Sequence, residues 1–245
     1  MESKTRANAI AERFLGAGEM HASVIYVDYG SGIGAGIILD GRLMVGDCWA
    51  AGEFGHTHIM EGGPACKCGS FGCLEAIAGA DALGARVRQA VQDGSVSVAS
   101  ELAGGDPSTI TGWTVLDAAR RGDKTCSAVV KQAANYLGLG VANLVNLFNP
   151  SVVVLDHRLD LAGEDFLDRI ADVVKIQALI QSTEKLKIRY GKMGGEAGVI
   201  GVGLIVLEKH FEVPALKLPQ FMIESAFSVS DRHSTVSGDS QGLRV

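Results

Sequence analysis

Gly52-Glu53-Phe54-Gly55-His56 is followed, ten residues beyond its histidine, by Cys66-Lys67-Cys68-Gly69-Ser70-Phe71-Gly72-Cys73-Leu74-Glu75. Three thiolates and one imidazole, from His56, Cys66, Cys68 and Cys73, can supply a closed tetrahedral Zn²⁺ site, and Gly69 and Gly72 let a tight loop turn its thiolates inward. Disulfides are one alternative, although a cytoplasmic chain with Cys-x-Cys spacing seldom forms them. Inert buried thiols are another, against which stands the crowding of three cysteines into eight residues of polar loop. A zinc with four protein ligands keeps no open position for water, so its role would be to fix the loop and what flanks it. The flanks carry Glu53 and Glu75. Held rigidly beside such a staple they suit sugar hydroxyls; as ordinary surface carboxylates they would be solvated. His58 would share a face with His56 if that segment is a strand, which makes it a substitute ligand. Cys48 and Cys126 lie outside the cluster and read as packing residues.

Upstream, Ala7, Ile10, Ala11, Phe14 and Leu15 recur at helical spacing, forming one apolar face of a helix that stops at Gly16-Ala17-Gly18. Two β-rich segments, 23–28 and 34–39, flank Gly30-Ser31-Gly32-Ile33, and Asp40-Gly41 marks a hairpin returning through Arg42 to Val45. A short strand is expected over 57–60 and a helix over 73–92, broken near Gly79. Downstream, a long apolar helix runs from about Thr125 to Phe148 and ends at Asn149-Pro150; core burial or an oligomer interface would use it. Val152–Leu155 is an unalternating β-branched run, a strand covered on both faces. Helix over 165–181, strand over 186–190 and helix over 197–211 complete an α/β alternation. After Pro214, serines crowd a stretch with little periodicity. Residues 1–211 are therefore expected to form the folded lobe, and 212–245 a mostly disordered or loosely attached tail.

The chain has 245 residues, enough for a substantial core, and a net charge of −6 without any basic run, which makes it a poor nucleic-acid binder on its own. The most continuous apolar stretch, 198–207, spans ten residues with three glycines among them, about half of what a membrane helix needs. No charged and apolar leader opens the chain. The expectation is a cytoplasmic α/β protein.

The two quoted stretches, with Gly30-Ser31-Gly32-Ile33-Gly34-Ala35-Gly36 and Asn143-Leu144 leading to Asn149-Pro150, closely resemble the signature of the ROK family. That family comprises sugar-responsive transcriptional repressors, sugar kinases and further relatives on an actin-like, ribonuclease-H-type α/β scaffold. The resemblance extends from the first helix to about Phe211. It implies that His56, Cys66, Cys68 and Cys73 are zinc ligands and that Glu53, His56 and Glu75 line a sugar pocket. It further implies that Gly30, Ser31, Gly32 and Gly34 form a turn whose backbone N–H groups face nucleotide phosphates, a place a plain hairpin turn would fill equally well. Gly198-Val199-Ile200-Gly201 resembles the helix start that borders the nucleotide in family kinases; its plain reading is close helix packing. Family members are dimers or tetramers, so a homo-oligomer is expected.

Three departures from the kinase pattern shape the functional expectation. Registering on Ala11-Glu12 puts Ser3 and Lys4 where family kinases carry Asn-Asp, and a protonated lysine cannot replace the carboxylate base. After Val152–Leu155 the chain has Asp156-His157-Arg158 in place of the glycines that let a nucleotide approach. The sequence also begins inside the motif that joins the family's two lobes, so it is expected to lack most of the amino-terminal lobe, and it contains no helix-turn-helix of its own. The resemblance thus implies the sugar-sensing portion of a ROK-type regulator, catalytically degenerate, with structural zinc and no DNA contact from this chain alone. The alternative is a fragment of an ATP-dependent sugar kinase of the glucokinase or N-acetylhexosamine kinase class, which would use Mg-ATP.

Overall fold

Residues 3–211 are described by the computed structural model; the tail expected over 212–245 lies outside them. Five strands, β1 (Val24–Tyr29), β2 (Ile33–Leu39), β3 (Arg42–Leu43), β4 (Val152–Leu155) and β5 (Lys187–Tyr190), form one sheet in the order β3-β2-β1-β4-β5. β1 pairs antiparallel with β2, Asp28 opposite Gly34, and the hairpin expected at Asp40-Gly41 takes the positive φ that returns the chain into β3, whose pairing stops at Leu43 and does not extend to Val45. β4 runs parallel to both β1 and β5, and the sheet is therefore mixed.

All four residues of β4 are buried, because alternate side chains enter two different cores. Ile25, Val27, Tyr29, Val153 and Leu155 face one cluster, and Val24, Tyr26, Val152 and Val154 face the other. The second face is covered by α1 (Lys4–Leu15) and α9 (Ala197–Phe211). These two helices approach so closely that a Cβ on Gly201 would lie 1.8 Å from the Ala7 carbonyl oxygen. That close approach is the packing role anticipated for the Gly198–Gly201 segment.

The larger core lies under α6 (Lys124–Phe148), which packs on α2 (Leu74–Ala78), α3 (Ala80–Gln92), α5 (Gly112–Arg120) and α7 (Glu164–Gln177). Asp123 caps α6 by accepting the Cys126 N–H at 2.7 Å, and it also takes the Val98 N–H at 2.7 Å, tying in α4 (Val98–Leu102). At the other end Asn149 takes a left-handed conformation before Pro150 stops the helix. Core burial accounts for most of this apolar helix.

Several expectations are corrected. Residues 57–60 are not a strand. They make one isolated bridge, His58 with Cys73, because Gly62, Gly69 and Gly72 all adopt positive φ and prevent a ladder from extending. The helix expected over 165–181 is two, α7 and α8 (Ile180–Thr183), parted where Ala178 is extended. The helix over 73–92 does break at Gly79. Cys126 is buried against Ser97, but Cys48 is exposed and packs no core. No described helix is long and apolar enough to cross a membrane.

Candidate functional site

The loop from Phe54 to Cys73 is anchored at both ends by apolar side chains. Phe54 and Leu74 are buried in the main core at Gly140 of α6, and α2 begins immediately after Cys73. Gly52 precedes this anchor with a φ of +98°, and a Cβ there would sit 1.9 Å from the Ala35 carbonyl oxygen, so only glycine fits. Between the anchors the chain folds back on itself, and one ligand atom each from His56, Cys66, Cys68 and Cys73 lies within 4.8 Å of all the others. His56 Nδ1 is 3.6 Å from Cys66 Sγ, and Cys68 Sγ is 3.7 Å from Cys73 Sγ.

Those separations fit a tetrahedral zinc. Bonds of about 2.3 Å to sulfur and 2.0–2.1 Å to nitrogen give edges of about 3.8 Å between sulfurs and about 3.6 Å between nitrogen and sulfur. Burial pushes the Cys73 thiol up to about 11, whereas the Ser70 backbone N–H lowers that of Cys68. A divalent cation held by this set would hold all three as thiolates. His58 does not join the group: its Nδ1 donates to the Phe71 carbonyl at 3.0 Å. The far edge of the His56 ring turns outward, with Nε2 3.9 Å from Glu53 Oε2.

A polar cavity of about 340 Å³ opens beside this loop, at the carboxyl ends of the parallel strands β1 and β4, where open α/β sheets place their ligands. Lys4, Asp28, Glu53, Glu75 and Arg158 line it together with the Gly30–Gly34 turn. Glu75 reaches from the first turn of α2 to accept the Ile33 N–H at 3.1 Å, joining the cysteine loop to the glycine turn. Asp28, at the end of β1, accepts the Thr5 hydroxyl at 3.1 Å, and burial raises its pKa.

Arg158 closes one side. Its Nε donates to Asp156 Oδ1 at 2.9 Å and its Nη2 to Asp156 Oδ2 at 2.6 Å and to the Tyr29 carbonyl. The guanidinium stacks 4.9 Å from the Trp113 ring centroid, which in turn meets Tyr29 edge to face. Burial works to raise the Asp156 carboxyl, yet the hydrogen bonds from Arg158 hold it at about 2. The side chain therefore lies across the mouth of the glycine turn, 3.8 Å from where a Gly30 Cβ would be. Asp156-His157-Arg158 begins a short 3₁₀ segment, His157–Ala162, capped by Asp156 itself.

The structure thus brings the anticipated ligand set into one cluster and gathers Lys4, Glu53, Glu75 and the glycine turn around one cavity. The sequence reading missed Asp28 and Trp113. Asp28 stands two residues before Gly30, a signal that was legible as a carboxylate at a strand end. Trp113 had none, since only the packing of α5 on the 3₁₀ segment carries it to Arg158.

A three-layer α/β lobe with a His/Cys₃ loop against a glycine-turn cavity places the chain among proteins of one class: it belongs to the ROK family, whose profile matches residues 1–209. It is 32% identical over 214 residues to the xylose repressor of Caldicellulosiruptor bescii, covering 87% of this chain and 53% of the repressor. It is 33% identical over 202 residues to a glucokinase of Halalkalibacterium halodurans, covering 82% and 61% respectively. Among solved structures it resembles a ROK family transcriptional regulator, a homologue of the Escherichia coli Mlc protein, at 30% identity and a TM-score of 0.76, covering 83% of this chain and 50% of that one. The chain spans between about two fifths and two thirds of the length of the curated relatives it matches.

Proposed function

We propose that the chain is the sugar-sensing portion of a ROK-type transcriptional regulator in which kinase catalysis has been lost. The observation that carries this reading is the Arg158 clasp: a side chain paired to Asp156 and stacked on Trp113 fills the approach to the glycine turn. Nucleotide phosphates arriving there would have to break an ion pair whose carboxylate is buried and whose guanidinium is half-buried, and would meet the Asp156 carboxylate. Lys4 adds to it, because the position where a kinase needs a proton acceptor carries an ammonium.

In this reading a neutral sugar occupies the polar cavity, with Glu53 and Glu75 of its lining taking hydroxyls and His56, which lies outside that lining with Nε2 3.9 Å from Glu53, reaching the sugar at its edge. Zinc on His56, Cys66, Cys68 and Cys73 holds His56 and Glu75 in place, and it supplies structure, not chemistry. DNA contact belongs to sequence outside this chain, and the protein works as a homo-oligomer in the cytoplasm. The kinase-fragment reading rests on the glycine turn Gly30–Gly34 being retained and on the likeness to glucokinases.

Calorimetric titration with glucose, xylose and N-acetylglucosamine, with and without Mg-ATP, separates the two. Sugar binding whose Kd is unchanged by Mg-ATP, without phosphorylated product, is the expected result. Phosphorylation of any of these sugars at ordinary turnover sinks the regulator reading. Replacing residues 156–158 by glycine should create nucleotide binding that the parent lacks.

A further inference from the structure

The carboxylate that the sequence reading overlooked occupies a telling place. Asp28 projects from the end of β1 to the start of α1, where Oδ2 accepts the Thr5 hydroxyl and Lys4 lines the same cavity. Oδ1 is buried and has no hydrogen-bond partner among the described residues; its nearest cation, Arg158 Nη2, is 3.6 Å away and already bonded to Asp156 and the Tyr29 carbonyl. A carboxylate offers about four acceptor positions; the Thr5 hydroxyl uses one, and the Asp156 carboxyl faces another side of the group. The Asp28 side chain remains 18% exposed and lines the cavity beside Lys4.

A hydroxyl is at once a donor and an acceptor. A carboxylate and an ammonium on the wall of one cavity can satisfy both roles, which neither does alone. A phosphate fits this cavity poorly: Arg158 is neutralised by Asp156, so Lys4 stands against Asp28, Glu53 and Glu75.

We propose that Asp28 and Lys4 are a hydroxyl-reading pair that sets the specificity of this cavity for a neutral polyhydroxyl ligand. The pair holds one hydroxyl, donating to Asp28 and accepting from Lys4, and this inference rests on the sugar-sensing reading above. It assigns both residues to ligand selection, where the Lys4 substitution otherwise counts only as a loss.

The test is titration of the purified chain with glucose, xylose and N-acetylglucosamine, with the monodeoxy forms of whichever binds, and with glucose 6-phosphate. Asp28→Asn should weaken binding by tenfold or more with little change in melting temperature. One deoxy sugar should bind the parent and Asp28→Asn equally, because the contact is absent from both. Should Asp28→Asn fail to fold, Lys4→Met at its exposed position must show the same insensitivity to the same deoxy sugar. An Asp28→Asn Kd within twofold of the parent, or unchanged sensitivity to every deoxy sugar, overturns the pair while leaving the sugar-sensing reading intact. Preference for glucose 6-phosphate overturns the neutral class. A parent that binds no sugar removes the sugar-sensing reading itself, and the pair with it.

Discussion

Replacing Glu12 by alanine will lower the melting temperature by about 10 °C, the size expected when roughly 3–4 kcal/mol is lost from a chain of this length. Glu12 is 1% exposed, a carboxylate taken entirely out of water. It accepts the Ala17 N–H at 2.8 Å, the Met193 N–H at 2.7 Å and the Lys192 N–H at 3.2 Å. One side chain on α1 thereby satisfies two loops 175 residues apart in the chain, the turn after α1 and the turn after β5. Truncation leaves three donors without an acceptor, each costing about 1–3 kcal/mol when buried. Against the ~5–15 kcal/mol of a typical domain this is a large fraction. Glu12→Gln keeps one carbonyl oxygen but brings an NH₂ towards donors, so it should recover only part of the loss. Thermal unfolding of the three proteins checks this, and a Glu12→Ala melting temperature within 2 °C of the parent would show that water replaces the carboxylate.

Glu12 also shows what the sequence makes legible. In the chain it is the end of an Ala-Glu pair, useful for registering a motif; nothing local says that its carboxylate will bond residues 192 and 193. The hairpin at Asp40-Gly41, the doubly covered run Val152–Leu155 and the break at Gly79 were readable because each depends on nearest neighbours along the chain. The His56/Cys66/Cys68/Cys73 set was readable for the same reason, since all four come from one loop of eighteen residues. The strand expected over 57–60 failed where glycine conformation overrode β propensity. Arg158 against Asp156 was two residues from being visible, but its stacking on Trp113 and its bond to the Tyr29 carbonyl join segments separated by dozens of residues. Asp28 lay in plain sight beside the glycine turn. What hid its role was that a strand-end aspartate has no meaning until α1 is laid across it.

The second large effect is on the cysteine loop. Cys73→Ser will drop the metal content of the purified protein from about one zinc per chain to near zero, as expected for a closed four-ligand site. Cys73 is 1% exposed and sits directly before α2, so its replacement disturbs both the donor set and the start of the helix that carries Glu75. Water cannot readily take its place as a ligand. Cys68 is exposed, and Cys68→Ser should retain part of the metal with weakened affinity. His58→Ala should retain all of it, because that ring is bonded to the Phe71 carbonyl and not to the cluster. The pH dependence has a defined sign: zinc needs thiolates and a neutral imidazole, so affinity falls as pH is lowered and protons compete for the ligands. Zinc sites of this kind contribute ~10–16 kcal/mol in small zinc-finger peptides, and even a fraction of that would make chelation lower the melting temperature of the parent strongly. The loss should propagate, because Glu75 holds the Ile33 N–H of the glycine turn and Cys73 is two residues away. Cys73→Ser is therefore expected to weaken sugar binding together with metal binding, whereas Asp28→Asn weakens sugar binding with the metal retained. Metal analysis by plasma emission, run on the same preparations as the titrations, distinguishes the two. A Cys73→Ser protein that keeps its full metal content would show that the four residues are not a ligand set at all.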